Sequence, residues 1–320
     1  MTVTVAIAGD TMLGRSVAHT LTISPPEALV APELLAVLGQ ADLVLLNLEC
    51  CISERGRPWQ APGKPFFFRA PPRAVELLVL LGTDCVTLAN NHALDYGVDA
   101  LADTLAHLAA ADIVAVGAGL DMAQARRPAV LAAGGLRVAV LGATDHPPDF
   151  AASPDRPGVA FADLGRQVPN WVLDSVRAAD AEVRLVTPHW GPNMTTAPVR
   201  HVRRAATALV DAGATLVAGH SAHVPHGVAG PVLYDLGDFL DDYRVDPVLR
   251  NDLGLLLFLV TLDARGPVRL EALPLKLEYG HTRLAAGDDA DWMRRRFRAA
   301  CADLGTELEE AAGRLIISWR

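Results

Sequence analysis

Long apolar runs are scarce in this sequence of 320 residues. The longest, "LGLLLFLVTL", spans about ten residues, whereas a helix needs roughly 20 to cross a bilayer. The amino terminus, "MTVTVAIAGD", lacks the basic start and the long apolar core of a signal peptide, and Asp10 interrupts it. We therefore expect no membrane segment and a cytoplasmic location.

Basic clusters and paired cysteines are also few. The net charge is -9, and the one dense basic segment, "RRRFR" at 294–298, is typical of the solvated face of a helix. Because phosphate binding needs clustered Lys and Arg, we expect no nucleic-acid partner. The four cysteines show no CxxC spacing, and adjacent Cys50 and Cys51 cannot easily bridge, so reduced thiols are expected.

Apolar residues are abundant, but they come in short runs. Hydrophobic residues make up 51% of the chain, which is enough for a sizeable core. Runs of β-branched residues alternate with helical patterns through the first two thirds, including a predicted helix over Pro26 to Gln40. Antiparallel strands are predicted at 250–280 and a helical tail at 288–320. This order predicts an α/β fold with residues 1–320 as a single domain, in which two sheets pack together with helices outside.

Polar side chains follow five of the predicted strands, in the segments "GDTMLGR", "NLE", "NNH", "PHWG" and "GHSAH". Loops at the carboxyl ends of parallel strands converge on one crevice, where ligands bind. The residues expected there are Asp10, Glu49, Asn91, His92, His189, His220 and His223. Each alone has an ordinary explanation as a turn, cap or core residue. Five strand ends with such side chains together indicate a shared site.

Carboxylates, imidazoles and an amide oxygen form a mixed set of ligands that suits divalent ions. A carboxylate shared between two ions explains a need for six ligands instead of three or four. Two ions about 3.5–4 Å apart clamp a substrate oxygen and lower the pKa of a bound water. The sequence therefore predicts one or two divalent ions, drawn from Mn, Zn, Fe, Ca and Mg.

With these motifs the sequence resembles the CapA family of poly-γ-glutamate capsule synthesis proteins, within the calcineurin-like metallophosphatase superfamily. The matching segments are "GDTMLGR", "NLE", "ANNHALDYG", "HWG", "GHSAHV" and "YDLGDF", which follow one another in family order over residues 3–240. The resemblance implies a four-layer α/β/β/α sandwich with a dinuclear metal site at one edge.

The resemblance also implies roles by position. The implied ligands are Asp10 for the first ion, Glu49 between the two ions, Asn91 and His189 for the second ion, and one of His220 and His223 for each. His92 is implied as the acid/base residue. Met12 stands where the phosphatases have histidine, so the first ion has one imidazole fewer. Asp238, in "GDF", places an additional carboxylate near the site.

For the reaction, the chain is similar to metal-dependent epimerases that convert the C-terminal residue of a lasso-peptide precursor to its D form. In such a reaction one base removes the Cα proton and a second group returns a proton on the opposite face. The catalytic candidates are His92 together with His281, His226 and Asp238. The candidates for substrate binding are Arg15, Trp59, Arg69, Trp190 and Asn193.

The expected partner is a peptide, and association into a homo-oligomer is left open. The alternative function is a dinuclear-metal hydrolase, either a phosphoesterase or a hydrolase of γ-glutamyl or peptide bonds. A non-catalytic binding module that has kept the fold is a third interpretation, which the ligand-type side chains at all five strand ends disfavour.

Overall fold

The computed structural model describes residues 1–60, 64–253 and 255–319. Across these residues the chain is a mixed α/β protein with several sheets, so the predicted α/β class is confirmed. None of the helices in the described ranges combines the length and the apolar character that crossing a bilayer requires.

The strands are numbered in chain order. The first ten are β1 (Thr2–Thr11), β2 (Leu43–Leu48), β3 (Cys51–Ile52), β4 (Arg69–Ala70), β5 (Cys85–Thr87), β6 (Val114–Val116), β7 (Ala118–Gly119), β8 (Ala129–Ala133), β9 (Leu136–Thr144) and β10 (Gly158–Val159). The next ten are β11 (Val183–His189), β12 (Leu216–Ala218), β13 (Val228–Ala229), β14 (Val232–Leu233), β15 (Asp238–Leu240), β16 (Leu255–Asp263), β17 (Gly266–Leu277), β18 (Thr282–Leu284), β19 (Glu309–Ala311) and β20 (Arg314–Ser318).

The helices lie mostly between the earlier strands. They are α1 (Arg15–Ile23), α2 (Pro32–Leu38), α3 (Ala74–Leu80), α4 (Val98–Ala110), α5 (Met122–Ala125), α6 (Asn170–Ala178), α7 (Arg200–Asp211) and α8 (Gly287–Ala302). Two short 3-10 helices cover Pro26–Leu29 and Pro148–Phe150.

The larger sheet has a parallel centre. Its strand order is β19-β20-β17-β16-β1-β2-β5-β6, with β15 beside β1 and β18 beside β17. Strands β1, β2, β5 and β6 are parallel, whereas β16 and β17 pair in the antiparallel sense. The carboxyl ends of β1, β2 and β5 therefore lie at the same edge of the sheet, where α/β proteins bind ligands.

The smaller sheet repeats this arrangement. Its order is β13-β14-β12-β11-β9-β8, and β9, β11, β12 and β14 are parallel. His189 ends β11 and forms an isolated parallel bridge with His220, which follows β12. The backbone thus continues the pairing of β11 and β12 up to two of the candidate ligands.

Three hydrophobic clusters hold these elements together. The middle cluster combines residues of both sheets, such as Ile7 of β1 and Val140 of β9. Ala6 and Ala8 of β1 belong instead to the cluster that includes α1 to α4, because successive side chains of a strand point to opposite faces. The third cluster joins the smaller sheet to α6 and α7.

The helix predicted over Pro26 to Gln40 is wrong in its middle. The structure has the 3-10 helix at Pro26–Leu29 and then α2, with extended backbone at Val30 and Ala31. Val30 forms a bridge with Thr282, and the Ala31 N–H donates to the Thr282 carbonyl. Pro32 lacks an N–H and disfavours helical backbone in the residue before it, which explains the interruption.

The helical tail predicted at 288–320 is wrong in its second half. Helix α8 ends at Ala302, and β19 and β20 then form a hairpin that pairs with β17. Gly313 has a φ of 77°, which suits the tight turn, and the β-branched Ile316 and Ile317 suit a strand. The strands predicted at 250–280 correspond to β16 and β17.

Gly9 allows β15 to lie directly against the end of β1. A Cβ atom at Gly9 would lie 1.7 Å from the Gly237 carbonyl oxygen. The Asp10 N–H donates to this same oxygen at 3.0 Å, and Asp10 is paired in register with Asp238. The missing side chain at position 9 therefore places two carboxylates side by side.

Replacing Gly9 tests this close approach. We expect Gly9→Ala to lower the free energy of unfolding by about 2 kcal/mol or more, since overpacking against backbone cannot relax through a side chain. The measurement is urea unfolding followed by circular dichroism. Gly39→Ala is the matched control because a Cβ there meets only the Leu35 and Ala36 carbonyls at 3.5 and 3.9 Å. Equal free energies of unfolding for Gly9→Ala and Gly39→Ala would contradict the close contact between Gly9 and the Gly237 carbonyl.

Candidate metal centre

Five strand ends carry ligand-type side chains to one edge of the two sheets. These side chains are Asp10 in β1, Glu49 after β2, Asn91 and His92 after β5, His189 at the end of β11, and His220 and His223 after β12. All are buried except Asn91, which is partly buried. The structure therefore brings together residues that lie more than 200 positions apart in the chain.

The loop after β12 bends sharply to supply two of these imidazoles. Ser221 and His223 adopt positive φ angles of 120° and 60°, which are uncommon outside glycine. Asp235 holds the bend, because its Oδ2 accepts the Ala222 N–H at 2.8 Å and its Oδ1 accepts the Gly237 N–H at 2.9 Å. Local strain of this kind is typical of functional loops.

One ligand set consists of Asp10, His189 and His220, whose candidate ligand atoms all lie within 4.8 Å of one another. The two imidazoles approach through their Nδ1 atoms at 2.8 Å, and His220 Nε2 lies 2.9 Å from Thr187 Oγ1. Burial lowers the pKa of His189 well below its usual value and lowers the pKa of His220 to about 4. Both rings are thus neutral near pH 7, as metal ligation requires.

The second set consists of Asp10, His223 and Asp238, within the same 4.8 Å limit. His223 Nδ1 lies 2.8 Å from Asp238 Oδ1 and 3.2 Å from Asp10 Oδ2. Burial alone would lower the pKa of His223, but Asp238 and Asp10 raise it well above its usual value. Asp10 belongs to both sets and is therefore placed to bridge two ions, a role that the resemblance assigned to Glu49.

Glu49 lies between His92 and His189. Its Oε1 is 3.8 Å from His92 Nε2 and 3.9 Å from His189 Nε2. Burial first, and then the charge of Asp10, raises the pKa of Glu49 well above its usual value. A carboxylate in this position needs a compensating positive charge to remain ionised.

Several buried oxygen atoms of the cluster lack a hydrogen-bond partner, which shows whether cations would fit there. Among the described residues, the buried oxygens that accept no hydrogen bond include Asp10 Oδ2, Glu49 Oε1 and Oε2, Asn91 Oδ1 and Asp238 Oδ2. Buried polar atoms are nearly always paired, so such a concentration requires an explanation. Divalent ions supply it, because they take several carboxylate and amide oxygens together with imidazole nitrogen. The residues present fit a metal centre.

A hydrogen-bonded chain fixes the centre from behind. Asn47 Nδ2 donates to Asp10 Oδ1 at 2.6 Å, and Asn90 Nδ2 donates to Asn47 Oδ1 at 2.9 Å. Asn90 Oδ1 in turn accepts the His92 N–H at 3.1 Å. The amides next to the ligands thus orient them, as the outer partners of metal sites do.

His92 is oriented by a buried carboxylate. Its Nδ1 lies 2.6 Å from Asp95 Oδ2, which leaves Nε2 directed to the side of Glu49. Asp95 also accepts the Phe68 N–H at 2.6 Å and pairs with Lys64 at 2.9 Å. Burial lowers the pKa of His92, although Asp95 acts in the opposite direction.

A cavity of about 370 Å³ opens beside this cluster. Its lining comprises Trp59, Lys64, Pro65, Phe66, Asn91, His92, His146, Pro147, Asp149, Phe150, Asn193 and Tyr243. A neighbouring cavity of about 210 Å³ shares Phe66, Asn193 and Tyr243 and is completed by Met194, His223, Arg244 and Asn251. The two cavities form one cleft over the candidate ligands, and we call them the inner and outer cavities.

Two of the predicted substrate-binding residues line this cleft, and a third, Arg15, contacts Phe66 of its lining. Trp59 and Asn193 line the inner cavity, and Asn193 Nδ2 lies 3.2 Å from His223 Nε2. Arg15 stacks over Phe66, with 5.5 Å from its guanidinium carbon to the ring centroid, and pairs with Asp242 at 3.5 Å. Asp238, predicted as a catalytic partner, lies among the metal ligands.

Two other substrate-binding candidates have structural contacts instead. Trp190 is buried, donates through Nε1 to the Tyr234 carbonyl at 2.9 Å, and packs in the cluster of α6 and α7. Arg69 stacks over Tyr96 at 4.2 Å and does not line the cleft. The prediction that Trp190 and Arg69 bind substrate is therefore corrected by their packing.

The two further histidine candidates also lie apart from the ligand cluster. His226 is directed to the Thr195 carbonyl, 2.9 Å from Nε2, and lines a separate small pocket with Trp190. His281 lies in the turn before β18, where its carbonyl accepts the Glu278 N–H at 2.8 Å. Neither residue lines the cleft, because each belongs to a loop with contacts elsewhere.

His146 is a functional candidate that sequence reasoning missed. Its ring packs against His189 with centroids 5.1 Å apart and lines the inner cavity, while Nδ1 lies 2.5 Å from Asp145 Oδ1. His146 comes shortly after β9, so the rule applied to the other strand ends could have found it. Met12, by contrast, is buried in the cluster of α1 to α4.

Known proteins resemble this chain over most of its length. Residues 4–243 match the family described as "Bacterial capsule synthesis protein PGA_cap". A probable polyglutamine synthesis accessory protein of Mycobacterium tuberculosis is 37% identical over 283 residues, covering 82% of this chain and 73% of that protein. The PGA biosynthesis protein CapA of Bacillus subtilis is 31% identical over 243 residues, covering 73% of this chain and 62% of its own length. The capsule biosynthesis protein CapA of Bacillus anthracis is 28% identical over 289 residues, covering 87% and 68%.

Loss of Asp10 is expected to remove metal from both ligand sets. Asp10→Asn keeps the shape but removes the shared charge. Its affinity for Mn²⁺ should fall by more than the roughly 10- to 100-fold typical of losing an outer partner. The measurement is metal content by mass spectrometry after gel filtration in Mn²⁺, with Zn²⁺ and Fe²⁺ as parallel loads. His107→Ala, on α4, is the control. Wild-type metal content in Asp10→Asn would refute the shared role.

Proposed function

This chain belongs to the PGA_cap family of bacterial capsule synthesis proteins, and we propose that it is a metal-dependent enzyme that modifies a peptide. The observation that carries the proposal is the cluster of buried carboxylate oxygens without hydrogen-bond donors beneath a cleft of peptide dimensions. The names of the relatives, which refer to polyglutamine synthesis and to PGA biosynthesis, support a substrate made of amino acids joined by amide bonds.

The proposal includes two ions in a dinuclear centre within a four-layer α/β/β/α arrangement. Asp10, His189 and His220 would hold one ion, and Asp10, His223 and Asp238 the other, with Glu49 and Asn91 completing the coordination. The division into three hydrophobic clusters, one of them shared by both sheets, supports the four layers. When bound, the ions supply Lewis-acid polarisation of a substrate carbonyl or carboxylate.

For the reaction we propose epimerisation at the Cα of a C-terminal residue, as in a ribosomal precursor peptide of the lasso type. Two imidazoles paired with carboxylates, His92 with Asp95 and His146 with Asp145, line one cavity. One of them would take the Cα proton and the other would return a proton, so no bond other than C–H is broken. Since His281 and His226 lie away from the cleft, His146 replaces them as the second group.

Hydrolysis of a peptide or γ-glutamyl amide bond is the second candidate. Similarity to a protein named for polyglutamine synthesis, a process that concerns amide-linked chains, favours it. In this reaction water would attack the amide carbonyl while His92 takes a proton from it, and His92 would return that proton to the nitrogen as the C–N bond breaks, so one acid/base group would suffice. The phosphoesterase alternative has less support, because among the described residues that line the inner cavity Lys64 is the single Lys or Arg, and this amine is paired with Asp95.

Incubation in heavy water separates the two reactions. Protein loaded with Mn²⁺ is mixed with peptides that have free C-termini, tetraglutamate among them, and the products are examined by mass spectrometry and chiral amino-acid analysis. We expect one deuterium at the Cα of the last residue, together with its D form and an unchanged chain length. Asp10→Ala serves as the inactive control.

Shorter fragments without deuterium at Cα would reject epimerisation and establish the hydrolase. An unaltered peptide in the presence of metal-loaded protein would reject both enzymatic proposals and favour a binding module.

Asp95→Asn tests the orientation of His92. Asparagine can still contact Nδ1 but carries no charge to stabilise the protonated ring, so kcat should fall by about 100-fold. The metal content should remain at the wild-type level, since Asp95 belongs to neither ligand set. Kinetics, metal analysis and thermal unfolding are measured together, with Asp163→Asn, whose side chain is 54% exposed, as a surface control. A folded, metal-loaded Asp95→Asn variant with wild-type kcat would exclude this role.

A further inference from the structure

The outer cavity differs in charge from the metal centre next to it. Among its described lining residues, Phe66, Met194 and Tyr243 are apolar or aromatic, and none carries a carboxylate. The exposed fractions of Phe66 and Met194 are 44% and 36%, so their apolar surfaces are open to a ligand. The floor of the cleft is acidic, whereas its outer end is apolar with one cation.

That cation is Arg244. Its side chain is exposed, and within the described part of the chain it pairs with no carboxylate. The other two cations at the cleft already have partners, Lys64 with Asp95 at 2.9 Å and Arg15 with Asp242 at 3.5 Å. A planar guanidinium without a partner, beside apolar surface, is suited to bind a carboxylate through two hydrogen bonds.

The backbone beneath Arg244 is fixed by Asn251. Asn251 Oδ1 accepts the Asp246 N–H at 2.7 Å, and its Nδ2 donates to the Arg244 carbonyl at 3.3 Å. Asp246 Oδ1 then accepts the N–H groups of Val248 and Leu249, both at 2.8 Å. The loop that carries the guanidinium is thus ordered before a ligand arrives, which lowers the entropy cost of binding.

The outer cavity also reaches the metal ligands. His223 lines it, and Asn193, which contacts His223 Nε2 at 3.2 Å, lines both cavities. Asn193 and Tyr243, which line both cavities, therefore connect the inner cavity with the outer cavity that contains Arg244. The tilted rings of Phe66 and Tyr243, with centroids 5.7 Å apart, form the apolar wall along this path.

We propose that the outer cavity is a substrate subsite in which Arg244 binds a carboxylate of the peptide, while Phe66, Met194 and Tyr243 contact its aliphatic stem. This inference rests on the proposal that the substrate is a peptide. The carboxylate comes either from the C-terminus or from an acidic side chain, since both present the same pair of oxygens. Arg244 therefore determines specificity and takes no part in bond making.

The test compares ligands that differ only in charge. The probes are tetraglutamate, its C-terminal amide, and tetraglutamine with a free C-terminus, titrated by calorimetry into protein loaded with Mn²⁺. Arg244→Gln should weaken tetraglutamate binding by about tenfold, the effect expected for a charge-assisted hydrogen-bonded pair at a partly open site. Arg244→Lys should weaken tetraglutamate binding less than Arg244→Gln, because lysine keeps the positive charge but lacks the two parallel N–H donors of the guanidinium. Arg127→Gln, an exposed arginine at a different pocket, is the matched control.

The two neutralised probes identify the source of the carboxylate. If Arg244→Gln no longer weakens binding of the C-terminal amide, the terminal carboxylate occupies the subsite. If Arg244→Gln no longer weakens binding of tetraglutamine, a side-chain carboxylate occupies it. Either result supports the subsite. The subsite is overturned if Arg244→Gln and Arg127→Gln change the affinity for tetraglutamate equally. It is also overturned if Arg244→Gln weakens binding of the charged and neutral probes equally, or if no probe binds to the wild-type protein.

Turnover of the same peptides in heavy water is measured in parallel. Turnover without dependence on Arg244 rejects the subsite and leaves the enzymatic function standing. Binding that depends on Arg244 without turnover supports the subsite and rejects the enzymatic function.

Discussion

The burial of three carboxylates with too few hydrogen-bond donors for their oxygens is the constraint on which the site depends. Asp10, Glu49 and Asp238 are at most 1% exposed and lie close together. Burial raises the pKa of Glu49 and of Asp238 well above the usual range, as expected when like charges share a dry site. Divalent ions would lower these pKa values again, because a bound cation is the largest charge in such a site and favours the ionised carboxylate. The cluster is thus suited to hold cations, and the surrounding fold keeps it in place.

The scaffold meets this constraint by joining two sheets at the ends of their parallel strands. Asp10 extends from the centre of the larger sheet, and His189 extends from the smaller sheet. The middle hydrophobic cluster packs the two sheets against each other, so the distance between these ligands is set by side-chain packing. The Asn47 and Asn90 amides then fix the orientation of the ligands.

Family and reaction are separate conclusions, because a fold hosts many chemistries and the cavity lining selects among them. The candidate ligands all lie within residues 4–243, which match the PGA_cap family. The proposed reaction depends on side chains that face the cleft, above all His92 and His146. The two ends of the cleft differ in charge, with carboxylates beneath the inner cavity and Arg244 at the outer cavity. Such a difference suits a substrate whose two ends differ, such as a peptide.

Periodicity and strand-end position, both visible in the sequence, were sufficient for the α/β class and for most of the side chains that meet at the edge of the two sheets. Asp10, Glu49 and His189 could be identified because the polar residue that ends a parallel strand must emerge at one edge. Trp190 looked equivalent to Asn193 in sequence, yet the loop path buries one and exposes the other to the cleft. The hairpin after α8 depends on its pairing with β17, which no local pattern contains. Most helices and strands follow from residues that are neighbours along the chain. The direction of a loop side chain follows from contacts between distant segments, and only the tertiary structure decides which segments meet.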